Sequence, residues 1–111
     1  MNHSRWRLAR EKKLDQGHIE SPEAVARRSE IRLAMAFAKA VYDRRQELGL
    51  SQAEVAERAG LTQAKISRVE GADAVPTLPL LRRLAHALNA SLNIALDEDH
   101  EEVKFVAHPA A

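Results

Sequence analysis

The stretch LSQAEVAERAGLTQAKISRVEG, residues 50–71, decides how this chain is read. Ser51-Gln52-Ala53-Glu54 is a capping box: a hydroxyl at the cap and a carboxylate three residues on, so a helix starts at Gln52. The helix runs to Ala59 and turns Val55, Ala56 and Ala59 inward. Gly60 supplies the positive φ that a tight turn needs. Leu61 then staples the turn to the core, and Thr62 caps a second short helix over residues 63–70. That helix buries Ile66 and Val69, which leaves Gln63, Ala64, Lys65, Ser67 and Arg68 on its outer face.

The totals bound what can surround this pair of helices. A chain of 111 residues holds one ordinary domain. Its 45% hydrophobic and 30% charged residues describe a soluble globular protein, and the 4% aromatic content favours a small helical core packed by aliphatics. No apolar run reaches the roughly 18–20 residues of a membrane span. Arg5, Arg7, Arg10, Lys12 and Lys13 are not followed by the apolar stretch of a signal peptide. Cysteine is absent, so there is no disulfide framework and no thiolate metal site, which fits a cytoplasmic location. The net charge of +1 hides a basic start and an acidic run at Asp97, Glu98, Asp99, Glu101 and Glu102.

Residues 1–20 show no sustained period and read as an arm, flexible or ordered by a partner, with Trp6 as a possible anchor. Ser21-Pro22-Glu23 is a helix start. From there Ile31, Ala34, Ala38, Val41, Arg45 and Leu48 recur at spacings of three and four, with Phe37 beside them, and Gly49 stops the helix. A helix this long admits a break near Ser29 and Glu30. After a loop, Thr77 caps a further helix whose expected buried stripe is Leu78, Leu81, Leu84, Ala85 and Leu88; Asn89 closes it. The period then changes to two. Leu92, Ile94 and Leu96 alternate with Ser91, Asn93 and Ala95, and Val103 and Phe105 repeat the pattern after the acidic turn, which suggests a hairpin. The divisions are therefore residues 1–20, 21–90 and 91–108.

With its preceding glycine, the opening stretch resembles the helix-turn-helix of the Xre and phage-repressor superfamily. The shared pieces are Leu-Ser-Gln before the first helix, Val-Ala within it, Ala-Gly-Leu at the turn and Ile-Ser-x-Val-Glu in the second helix. The likeness covers residues 37–88. It implies a mainly α, lambda-repressor-like bundle with a long N-terminal helix and a C-terminal strand or hairpin for dimerisation. It also implies roles. Gln52 would touch a phosphate, Gln63 would reach base edges, and Ala64 would offer its methyl to thymine. Thr62, Lys65, Ser67 and Arg68 would complete the DNA contacts. The resemblance pairs Arg45 with Glu70 in a structural salt bridge. The residues support the same reading: an amide, a methyl, a hydroxyl and two cations on one helix face suit base edges and phosphates. Arg44 departs from the pattern, which has an aliphatic residue there; its stem would cover the core while its head stays in water.

The strand after the last helix is similar to that of HigA-like and HipB-like antitoxins. This implies a homodimer joined through Leu92, Ile94 and Leu96, bound to operator DNA, repressing its own operon and neutralising a small cognate toxin. A stand-alone Xre-type regulator without a toxin shares every DNA expectation. An enzyme is disfavoured: His3, His18, His86, His100 and His108 are scattered, with neither metal-ligand spacing nor a nucleophile–base cluster. No cofactor, metal or small-molecule substrate is expected.

Overall fold

In the computed structural model, residues 20–109 are described. The expected arm, with Trp6, lies outside them save for Glu20. Four helices are followed by a hairpin: α1 Pro22–Leu48, α2 Gln52–Ala59, α3 Gln63–Glu70, α4 Leu78–Ala87, β1 Ala90–Asp97 and β2 His100–Ala107.

Each boundary has a local cause. The Ser21 hydroxyl accepts from the Ala24 amide at 3.1 Å, and Gly49 ends α1 at φ 69°. No break interrupts the helix at Ser29 or Glu30. The capping box of α2 is complete: the Glu54 amide donates to the Ser51 hydroxyl at 3.0 Å, and the Ser51 amide donates to Glu54 Oε1 at 2.8 Å. That contact holds the Glu54 carboxyl below the usual carboxylate range, first through the Ser51 backbone amide and then through its hydroxyl. Gly60 turns the chain at φ 68°. Thr62 and Thr77 cap α3 and α4 through their hydroxyls, and Asn89 leaves α4 in the left-handed region at φ 50°.

The core lies where the four helices meet. Val41, Val55, Ile66, Leu84 and Leu88 are fully buried, each worth about 1.5–3 kcal/mol over an exposed side chain. Leu33, Leu48, Leu50 and Leu61 close its rim. Three expectations about these stripes fail. Leu78 is 77% exposed, because it is the first residue of α4 and the inward positions begin at Leu80 and Leu81. Ala85 is half-buried, and Ala87 takes its place inside. Ile31 is 58% exposed: α1 outruns the bundle, and its first turns have no helix to cover them.

The strands pair antiparallel, with Leu92 opposite Phe105, Ile94 opposite Val103 and Leu96 opposite Glu101. Leu92, Val103 and Phe105 pack on the core, which gives this two-stranded ribbon the support it lacks alone. Arg32 clasps Glu101 at 3.0 Å and so ties β2 to α1.

Arg44 corrects another expectation. Its head is not in water; the side chain is 8% exposed. Nε donates to the Leu88 carbonyl at 2.9 Å, Nη2 to the Asn89 carbonyl at 3.2 Å and Nη1 to Glu47 Oε1 at 2.6 Å. A cation thus meets the free carbonyls at the C-terminal end of α4, where the helix dipole is negative.

Candidate nucleic-acid interface

The sequence of α3 sorts its side chains by depth. Ile66 and Val69, three residues apart, share the face that enters the core, so the residues between and before them face out. Gln63, Ala64, Lys65, Ser67 and Arg68 are all exposed, as is the cap residue Thr62. Among the described residues no ion pair engages Lys65 or Arg68. Both cations therefore keep their charge available to a phosphate.

This face is held from behind by the pair that joins α1 to the end of α3. Arg45 Nε donates to Glu70 Oε2 at 2.6 Å and Nη2 donates to Oε1 at 2.9 Å, a bidentate fork. The third arm, Nη1, donates to the Leu50 carbonyl at 2.9 Å, so one guanidinium fixes α1, the α1–α2 link and α3 together. The side chains are 10% and 6% exposed. The Glu70 hydrogen bond raises the Arg45 pKa beyond its already high value, and the Tyr42 ring lies 5.3 Å from the guanidinium carbon.

Gln52 joins the same cluster. It is half-buried at the first turn of α2, and its Nε2 donates to Glu70 Oε1 at 3.1 Å. The amide bridges the two helices of the motif and keeps a second N–H. Leu92, Ile94 and Leu96 stand apart from this site, on β1: Leu92 packs on the core, while Ile94 is 39% and Leu96 60% exposed.

Sequence reasoning missed Asp73. A cleft of about 310 Å³ beside α3 is lined by Lys65, Arg68, Asp73, Val75 and Thr77, among others. Asp73 sets a negative charge beside the two cations at the loop end of α3. The signal was present in the order of the sequence, since Asp73 falls just beyond the helix that carries Arg68. Among the described residues, no group of three or more His, Asp or Glu side chains is placed to hold a metal ion, and no helix is long and apolar enough to cross a membrane.

Comparison with known proteins places this geometry. A family described as a helix-turn-helix domain matches residues 36–95, more than half of the chain. A similar protein is an uncharacterised HTH-type transcriptional regulator of Methanothermobacter thermautotrophicus, 44% identical over 48 residues that make up 43% of this chain and 70% of that protein.

Proposed function

Because the chain belongs to this helix-turn-helix domain family, we propose that it is a DNA-binding transcriptional regulator of the Xre type, and more narrowly a HigA-like antitoxin that represses its own operon as a homodimer. The observation that carries the DNA part is the α3 face: Gln63, Ala64, Lys65, Ser67 and Arg68 exposed together, on a helix locked by the buried Arg45–Glu70 fork. Gln63 pairs with a base edge, its amide matching adenine in the major groove. Ala64 packs on a thymine methyl. Lys65 and Arg68 grip phosphates, and Thr62 and Ser67 add hydroxyl contacts. Gln52 uses its second N–H on a phosphate at the amino end of α2, so a single amide links backbone contact to Glu70 and hence to α3.

The dimer rests on β1. The far edge of this strand has no partner among the described residues, and Ile94 and Leu96 are exposed along it. A free edge with apolar side chains is a template for another strand. Pairing of β1 with its copy buries Leu92, Ile94 and Leu96 at a two-fold axis and presents two α3 helices to half-sites about 34 Å apart, or a multiple of that. Toxin neutralisation draws support from α1. Val25, Ile31 and Met35 are exposed along its overhanging half, an apolar surface of the kind that partner proteins cover.

A stand-alone regulator without a toxin is the second reading, and it shares every DNA contact with the first. Gel-shift titration of the chain against its own promoter, with and without the product of the adjacent gene, separates the two. The antitoxin reading expects a salt-sensitive complex and a stoichiometric assembly with that product. Binding to the promoter with no such assembly leaves the stand-alone regulator; no binding to the duplex defeats both.

A further inference from the structure

A groove of about 530 Å³ lies between the end of α2 and α4, and no α3 residue is among those that line it. Ala59, Leu78 and Pro79 form its apolar floor, and Arg82, Arg83 and His86 form a basic rim. Leu78 is 77% exposed. Arg83 donates to the Gly60 carbonyl at 3.5 Å, and among the described residues no ion pair engages Arg82, Arg83 or His86.

The opposite chemistry stands at the tip of the hairpin. Asp97, Glu98 and Asp99 are exposed, and no cation pairs with them among the described residues. Leu96, beside them, is 60% exposed. The Arg32–Glu101 clasp holds this tip against α1, whereas the groove is lined only by α2 and α4 residues. One chain therefore carries both halves of a complementary contact and keeps them on different faces.

We propose that the acidic hairpin tip of one copy docks into the basic α2–α4 groove of a second copy. Asp97, Glu98 and Asp99 meet Arg82, Arg83 and His86, and Leu96 covers Leu78. A phosphate needs only the cations; the apolar floor between them fits a protein surface that brings acid and hydrocarbon together. Where the contact is made head to tail and not exchanged reciprocally, it leaves a free tip and a free groove to extend the row. An interface this small is weak on its own. It gains force where copies are held side by side, as on neighbouring sites of one duplex. Leu96 serves either this contact or the proposed β1 pairing, not both, so the repeating unit of the row is a single chain.

Sedimentation velocity of the full chain without DNA, across concentration at low and high salt, tests this. The mean mass rises with concentration at low salt and falls back to the smallest unit at high salt. R82E/R83E and D97K/E98K/D99K each weaken the association by about tenfold or more, as loss of several partly desolvated charge pairs requires. Mixing the two variants restores it, since a reversed groove then meets a reversed tip. Circular dichroism checks that both variants keep the fold. Self-association that ignores both variants, or that the mixture fails to restore, overturns the proposal. So does an R82E/R83E variant that loses affinity for a single duplex site while self-associating normally, which would make the groove a phosphate contact.

Discussion

Glu70 is the residue on which the motif closes. It receives both prongs of Arg45 and the amide of Gln52, so α1, α2 and α3 share one carboxylate. Removing either partner of a buried pair leaves a charge with nothing to meet it. Glu70→Ala should cost about 3–5 kcal/mol in urea unfolding, while an apolar pair, Arg45→Met with Glu70→Leu, should cost clearly less. Equal losses for the two would mean that an unpaired buried charge is not what Glu70→Ala costs. The exposed carboxylate of Glu54 acts through pH instead. Its folded pKa is depressed by the Ser51 contacts, so its contribution is present above the unfolded value and lost as pH falls through the folded one. Thermal melts from neutral pH downward should show Glu54→Gln losing less stability on acidification than the native chain. At this scale much was legible: the capping box and the glycine turn are local chemistry, and residues 50–71 spell them out. Arg44 was not, because its acceptors lie at Leu88 and Asn89, far along the chain. The one clue was Asn89 itself, since a helix that ends there leaves carbonyls needing donors.

The elements divide by whether their neighbours are near in sequence. For α2 and α3 the burial pattern follows from caps and spacing alone. For α1 and α4 the period was right but the phase at the ends was not: Ile31 and Leu78 fit an apolar repeat and still face out, because no other helix covers them. The candidate site shares this split. The exposure of residues 62–65, 67 and 68 was readable from helix geometry, whereas Asp73 joins them only through the fold of the loop. Asp73 repels an approaching phosphate, so Asp73→Asn should tighten duplex binding a few-fold at low salt, with the gain fading as salt rises. Arg44 donates to the two carbonyls that precede β1. Arg44→Met keeps the stem but takes the donor from the Leu88 carbonyl, while that of Asn89 still accepts from the His108 amide, and should cost about 1–3 kcal/mol in unfolding. It should also loosen the amides of Leu92 and Phe105 in hydrogen exchange; unchanged protection there would mean that packing alone orients the strands.

At the scale of the molecule, the 27-residue α1 is far longer than the helices of 8 to 10 residues that follow it. One region should read DNA, and the regions away from it, the α1 overhang, the β1 edge and the α4 groove, are left to partners and further copies. The central claim is that the α3 face makes the DNA contact. It is tested most directly by titrating a promoter duplex with the native chain and with Gln63→Ala/Arg68→Ala, across a range of salt. Loss of a bidentate base contact and a phosphate contact should weaken binding by about 30-fold or more and lower the salt slope by about one. Both substituted residues are exposed, so the melting temperature should hardly move. An affinity and salt slope equal to those of the native chain would contradict the assignment of α3 as the reading helix.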